Sequence, residues 1–265
     1  MIVAFSGWSD AADSATEALE HIALCSDAQD VLEIDLQDFI DFQENRPHTV
    51  LDEDGVRHIE WPTTRIRVGR LRDVDVVVID SDEPSLRWRV FAQDLTDHIE
   101  RLTPRAVLFL GALLADVPHT RTLPVTGTTT DAAVAERCDM GPNSYEGPTG
   151  LLGVLAVECV NRGLPVTTLW ATVPHYLSHS PCPPAVLGLL NVVEDVAQVS
   201  LPQGDYAEQT RAWQRRCDEL AADDEDLRGY ITALEEQHDA QESPEATGDA
   251  IAREFERYLR RRGEQ

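Results

Sequence analysis

The segment Asp116–Arg121 brings together side chains that could act on a small anion or an acyl group. It places a carboxylate, the imidazole of His119, a hydroxyl and the guanidinium of Arg121 within six residues, directly after an apolar run. An imidazole or a carboxylate can serve as a general base, and a guanidinium can hold an anion by paired hydrogen bonds. The same side chains also suit a loop that holds itself together by hydrogen bonds, so a structural role stays open.

The segment Gly7-Trp8-Ser9-Asp10-Ala11 lies between the apolar run Ile2–Phe5 and a helical pattern. A strand, a G-x-S-x-A turn and a helix in this order are similar to a nucleophile elbow, whose serine attacks an acyl group. Alternatively, Ser9 and Asp10 cap the helix. The elbow would need a histidine and an acid from later in the chain. The available partners are His119, His175, Asp116 and Asp195.

A glycine-rich stretch opens another helix. Three glycines follow Glu146 at three-residue spacing, and exposed amides at a helix start can cradle a phosphate or a carboxylate. No lysine follows to make a Walker-type loop, so close helix–sheet packing is the alternative reason for the glycines. The candidate residues of a strand-end cleft are therefore Trp8, Ser9, Asp10, Asp116, His119, Arg121, Glu146, Gly147, Gly150 and His175.

The sequence predicts neither a metal nor a cofactor. His175 and His179 have H-x-x-x-H spacing but lack the glutamate of a zinc-protease helix, and the nearby prolines predict a loop. Five cysteines, odd in number and without a C-x-x-C pair, predict free thiols in a reducing compartment.

The net charge of the chain limits the classes of partner that it can bind. Acidic residues number 48 and basic residues 22, all arginine, which gives a net charge of −26. Such a field repels phosphate backbones and anionic lipids, so we expect no nucleic-acid and no membrane partner. Without a signal peptide or an apolar run of about 20 residues, the predicted location is the cytoplasm. The acidity itself fits either a solvated surface or a partner with a basic face.

Apolar strand patterns alternate with amphipathic helix patterns around these segments, which predicts an α/β layered domain with a mostly parallel sheet. The aliphatic run Val74–Asp80 is typical of a strand covered on both faces. Two alternating segments, Val56–Glu60 and Thr64–Val68, predict a hairpin. Towards the C-terminus the pattern is helical only. The predicted division is a core domain over 1–204 and a helical C-terminal subdomain over 205–265.

Five segments in order carry a family resemblance. They are Phe5–Ala11, Ala115–Arg121, Tyr145–Gly150, Leu169–Tyr176 and Gly248–Leu259. Together they resemble the proteasome assembly chaperone 2 (PAC2) family, in particular its actinobacterial-type members. The resemblance implies a three-layer α/β fold similar to purine nucleoside phosphorylases, a helical appendage, and self-association as a homo-oligomer, namely a trimer. Eukaryotic and archaeal relatives help to assemble or cap proteasomes, and no established catalytic residues carry over.

One departure from the chaperone relatives bears on partner binding. Relatives that dock on proteasome rings resemble one another in a hydrophobic–Tyr–any ending, whereas this chain ends in Arg261–Gln265 and Tyr258 lies within a predicted helix. Docking by such a tail is therefore not expected. Two hypotheses remain: a non-enzymatic assembly chaperone or scaffold that binds proteasome subunits or another protein, and a small-molecule-binding protein or hydrolase- or phosphorylase-like enzyme that uses the strand-end cleft.

Overall fold

A computed structural model describes residues 1–52, 54–178 and 181–241 of the chain. Its strands are β1 (Ile2–Ser6), β2 (Gln29–Asp35), β3 (His48–Leu51), β4 (Arg57–Glu60), β5 (Thr63–Leu71), β6 (Val74–Asp82), β7 (Val107–Ala115), β8 (Val125–Thr129) and β9 (Val166–Pro174). Its helices are α1 (Ser14–Cys25), α2 (Trp88–Arg101), α3 (Ala132–Cys138), α4 (Leu151–Asn161), α5 (Pro183–Ala197), α6 (Tyr206–Asp223) and α7 (Glu225–Gln241). None of the helices in these ranges is long and apolar enough to cross a membrane.

Seven strands form one sheet in the order β2-β5-β6-β1-β7-β9-β8. The central strands β6, β1, β7 and β9 are parallel neighbours, whereas β5 and β8 run against their neighbours. Five of the seven strands therefore point the same way, and the predicted α/β fold with a mostly parallel sheet is confirmed.

Helices cover both faces of this sheet, because β1 alternates apolar side chains between two cores. Ile2 and Ala4 point into a cluster with α1, α5 and α6, whereas Val3 and Phe5 point into a cluster with α2 and α4. Each helix turns an apolar stripe to its core, as α2 does with Phe91 and its neighbours one turn away. The result is the three-layer arrangement that the family resemblance implies.

The predicted hairpin of Val56–Glu60 with Thr64–Val68 is wrong. β4 instead pairs with β3 in a separate two-stranded sheet, and β5 pairs with β6 through the two-residue turn at Arg72, whose φ is 53°. All of β4 is exposed, whereas β5 buries Ile66 and its neighbours in the large sheet. Burial of β5 against β6 therefore decides the pairing, which the spacing of the two segments did not reveal.

The C-terminal helices pack on the α1 and α5 side of the sheet. Tyr206, Trp213 and Cys217 of α6 are buried in the same core cluster as α1 and α5. Asp224 accepts hydrogen bonds from the N–H groups of two residues at the start of α7 and so caps this helix. The predicted last helix, with Ile251, Phe255, Tyr258 and Leu259, lies outside the described residues, and the division at residue 204 stays a prediction.

Candidate functional site

Asp10 serves the start of α1. Its buried carboxylate accepts hydrogen bonds from the N–H groups of Ala15, at 2.6 Å, and Thr16, at 3.3 Å, and from the Thr16 hydroxyl. Burial raises the pKa of Asp10, and these hydrogen bonds oppose that rise. α1 begins only at Ser14, because a 3₁₀ turn at Ala11–Asp13 intervenes. Asp10 thus has the helix-capping role that the sequence offered as the alternative to catalysis.

Ser9 lies buried beneath the first turn of α4. Its Oγ has no hydrogen-bond partner among the described residues, so no imidazole is in position to activate it. A Cβ on Gly150 would lie 2.8 Å from the Trp8 ring, 2.9 Å from Glu83 Oε1 and 3.0 Å from Ser9 Oγ. Gly150 is therefore needed for close packing, and the elbow-like turn presents no exposed nucleophile.

The glycine-rich loop holds no free anion nest at its helix end. Glu83 Oε1 accepts a 2.8 Å hydrogen bond from the N–H of Leu151, the first residue of α4. A carboxylate of the chain itself thus stands where a bound anion would stand. Glu146 and Gly147 lie exposed in the preceding loop, which is held by a hydrogen bond from the Tyr145 phenol to a backbone carbonyl.

Asp116 and His175, at the ends of β7 and β9, form a surface pair. Asp116 Oδ1 lies 3.2 Å from His175 Nδ1 and accepts a 3.1 Å hydrogen bond from the phenol of Tyr230 in α7. The two strand-end residues are brought together as the sequence predicts. However, the group that contacts them is a side chain of α7.

His119 is buried and joins the strand-end loop to α6. Nε2 lies 3.1 Å from Asp218 Oδ1, and Nδ1 lies 2.9 Å from the Tyr176 oxygen, which also accepts the His119 backbone N–H at 2.8 Å. Because a carboxylate only accepts, Nε2 carries the proton and Nδ1 accepts from the phenol. Burial raises the pKa of Tyr176 to about 12, so this phenol keeps its proton at neutral pH. The Trp213 ring packs edge-on against the imidazole.

Arg121 clamps α7. Its Nε and Nη2 each lie 2.8 Å from an oxygen of Asp239, and Nη1 lies 3.2 Å from Glu235 Oε1. The hydrogen bond from Arg121 lowers the pKa of Asp239. The neighbouring Thr120 hydroxyl also donates to Glu235. The guanidinium that could hold a bound anion is thus engaged by carboxylates of the chain.

The predicted cleft residues therefore fall into two groups. The first group lies around Ser9 and Gly150 and consists of Trp8, Ser9, Asp10, Glu146, Gly147 and Gly150. Within the described ranges, no hydrogen bond or ion pair joins it to the second group, which contacts α6 and α7. The second group consists of Asp116, His119, Arg121 and His175.

An open cleft does exist at the strand ends, but between β1 and β6. α1 follows β1 on one face of the sheet and α2 follows β6 on the other, so the chain leaves a crevice where these strands end. A cavity of about 930 Å³ opens there. It is lined by Ser6, Asp13, Thr16, Glu17, Glu20, Glu33, Ile59, Glu60, Trp61, Thr63, Arg65, Arg67, Asp80, Ser81 and Asp82, and includes none of the ten predicted residues.

Two arginines form the floor of this cleft. Arg65 Nη2 lies 2.7 Å from Asp80 Oδ2, while Arg67 Nη2 lies 3.0 Å from Asp80 Oδ1 and 2.7 Å from Glu20 Oε2. Burial lowers the pKa of Arg67, but attraction to Glu20 and Asp80 outweighs this and leaves the pKa raised. Nε of the buried Arg67 has no hydrogen-bond partner among the described residues.

The sequence contains one pattern that indicates this cleft, the alternation of two arginines along β5. Arg65 and Arg67 alternate along β5, and Arg65 lies opposite Asp80 in the register of β5 with β6. The mispaired hairpin placed β5 beside β4, so its arginines had no predicted partner. Asp82 ends β6 beside Ser6, which ends the parallel neighbour β1 and donates a 2.8 Å hydrogen bond to the Asp82 carboxylate.

The side chains of this cleft are suited to binding a cation. The cleft combines carboxylates, hydroxyls and an indole, which suit a positively charged ligand. No three His, Cys, Asp or Glu side chains in the described ranges are grouped to hold a metal ion, and His179 lies outside them.

Comparison with known proteins gives the family. The model of the PAC2 family matches residues 4–221, whereas no curated protein sequence matches. A PAC2 family protein of Streptomyces avermitilis is 43% identical with a TM-score of 0.80, and covers 87% of this chain and 98% of its own. A proteasome-assembly chaperone homologue of Mycobacterium tuberculosis is also 43% identical, with a TM-score of 0.78 and the same coverage.

A more distant structure shares the fold alone. An archaeal proteasome activator from Pyrococcus furiosus is 12% identical, with a TM-score of 0.65 over 83% of this chain and 92% of its own. The family model and the two actinobacterial structures decide the assignment, which the five motifs predicted: this chain belongs to the PAC2 family.

Proposed function

We propose that the protein is a non-enzymatic assembly chaperone or scaffold of the cytoplasm, with proteasome subunits as its partners. The observation that carries this proposal is that the strand-end residues are bonded to side chains of the C-terminal helices. His119 and Arg121 hold α6 and α7, so the side chains best suited to catalysis are used to position helices. The 43%-identical relative described as a proteasome-assembly chaperone homologue supports the choice of partner.

An exposed apolar surface at the strand ends supports binding to another chain. The backbone carbonyl of Ser9 accepts a 2.8 Å hydrogen bond from the N–H of Ala112. Trp8, which precedes Ser9, is therefore near the segment that follows Ala112. Trp8 exposes 66% of its surface, and Leu113 and Leu114 expose 40% and 49%. Large apolar side chains exposed near one another in the fold in this way favour a protein-binding surface. We propose the same surface for contacts in a homo-oligomer, with the trimer taken from the family resemblance.

Reconstitution tests this function. Purified protein is mixed with separately purified proteasome α and β subunits from the same cells, and native mass spectrometry measures the complexes. We expect a complex of fixed ratio that survives Ser9→Ala and His175→Ala and weakens with Trp8→Ala. The matched control is Leu220→Ala, which alters an exposed apolar side chain on α6, away from this surface.

A different outcome would contradict the proposal. If the subunits stay separate at all ratios, and an ester or nucleoside substrate is turned over by the wild type but not by Ser9→Ala or His175→Ala, the enzyme hypothesis replaces it.

A further inference from the structure

The cleft between β1 and β6 continues along α1 as one groove. A second cavity of about 260 Å³ shares Glu20, Arg65 and Arg67 with the first and extends past Asp27 to Asp30. α1 has twelve residues and is therefore about 18 Å long. An extended peptide covers that length with about six residues. The groove thus has the dimensions of a site for a short chain segment.

The groove is strongly negative. Seven carboxylates and two guanidiniums line its main cavity, a formal balance of 2 − 7, or −5. The guanidiniums are already paired with Asp80 and Glu20. Asp13 and Glu33 make no ion pair with a described residue, although they belong to different walls, the 3₁₀ turn before α1 and the strand β2. Uncompensated carboxylates on facing walls favour a ligand that carries several positive charges.

A second observation indicates that this ligand also carries a hydrogen-bond acceptor. Arg67 is buried to more than nine tenths and lines both cavities, and its Nε lacks a partner in the described ranges. A buried donor without an acceptor is costly, and a ligand carbonyl would satisfy it. A polyamine or a metal ion has no acceptor to offer, whereas a peptide backbone has one at each residue.

The far wall suits the side chains of such a peptide. Trp61, in the residues after β4, exposes 55% of its surface and packs its edge against Phe42, while Ile59 lies on β4 itself. An indole face attracts guanidinium and ammonium groups, and apolar surface accepts their alkyl stems.

We infer that the α1 groove binds an extended, arginine- or lysine-rich segment of a partner protein. This inference rests on the proposed function and names the chemistry of the partner's docking segment. The segment's cations lie against Asp13, Glu33 and Glu60, and one of its carbonyls accepts the Nε–H of Arg67.

The test uses the full chain and a fluorescein-labelled peptide of alternating arginine and glycine, six residues long. Fluorescence anisotropy at about 0.15 M salt measures its dissociation constant, so that distant charges are screened. The triple variant D13N/E33Q/E60Q neutralises three walls of the groove. Its matched control, E219Q/D223N/E236Q, removes the same charge from exposed positions on α6 and α7.

We expect the groove variant to bind the peptide at least about tenfold more weakly than wild type, and the control within about twofold. Trp61→Ala and Arg67→Lys each weaken binding, the latter because lysine keeps the charge but lacks the Nε–H donor. Equal weakening by both triple variants would assign binding to overall acidity and overturn the inference. Competition by free spermidine at the peptide's own concentration would also overturn it, in favour of a small organic cation.

Failure of this inference is distinguishable from failure of the proposed function. If the groove variant still forms the complex with proteasome subunits while the peptide binds without preference, only the groove assignment is wrong. If wild type forms no such complex, the proposed function is wrong whatever the peptide does.

Discussion

His119 and Asp218 lie 99 residues apart in the chain, yet the imidazole Nε2 is 3.1 Å from the carboxylate Oδ1. The contact joins the loop after β7 to α6, while the other ring nitrogen, Nδ1, contacts the half-buried Tyr176 phenol. A loop whose residue types suit an active site therefore serves to hold α6 in place.

We expect His119→Ala to lower the free energy of unfolding by about 2–4 kcal/mol, because it leaves a cavity and removes a hydrogen-bond partner of the half-buried Tyr176 phenol. The exposed His175 provides the matched control, and His175→Ala should change stability by less than about 1 kcal/mol. Urea unfolding followed by circular dichroism measures both. Equal losses in the two variants would contradict the assigned role of His119.

The clamp on α7 can be tested by hydrogen exchange. Arg121→Gln removes the paired contacts with Asp239 and Glu235, so we expect faster amide exchange over Glu225–Gln241, with α1 unchanged. Arg211→Gln alters an exposed arginine of α6 as the control. Because the clamp is exposed, high salt should weaken it in wild type as well. Unchanged exchange of α7 in the Arg121 variant would show that other contacts hold the helix.

Two glycines give a matched pair for the packing around Ser9. Gly150→Ala would place a Cβ within 3.0 Å of Trp8, Glu83 and Ser9, so we expect a loss of about 1–3 kcal/mol in stability. Gly141→Ala meets nothing within 4 Å and should be nearly neutral. Thermal unfolding compares the two variants. A neutral Gly150 variant would mean that the first turn of α4 can move away from the β1–α1 turn.

The cysteines should differ in reactivity with pH. Burial raises the pKa of Cys159 and Cys217 to about 11 and that of Cys182 to about 12, so their reactive thiolates are scarce near neutral pH. Alkylation by iodoacetamide at about pH 8, located by peptide mass spectrometry, should modify the half-buried Cys25 and Cys138 first. The three buried thiols should react only after unfolding. Rapid labelling of Cys182 in the folded protein would contradict its burial.

Local patterns predicted most elements of the fold, because the alternation of apolar residues records which face of a strand or helix is buried. Thus β1 and β6 are close to their expected positions. The pairing of β5 was not predicted, since its partners β2 and β6 are selected by burial within the large sheet and not by its closeness in the chain to β4. Strand pairing depends on the whole sheet, whereas helix caps depend on neighbouring residues.

The candidate site was predictable in residue type but not in partner. Asp116 and His175 do meet, as expected for the ends of neighbouring parallel strands. The contact of Arg121 with Asp239 spans 118 residues, and no local pattern indicates that a helix would bring a carboxylate to that guanidinium. The acidic groove was not predictable for the same reason, because its walls come from elements far apart in the chain: α1, β2, β4, β5 and β6.

The central claim, that this protein works by binding other protein chains, is tested most directly by native mass spectrometry of the protein gently purified from the cells that make it. We predict a homo-oligomer that carries proteasome subunits in a fixed ratio. A small-molecule mass increment on the oligomer, without any second polypeptide, would contradict the account and assign the protein to ligand binding or catalysis.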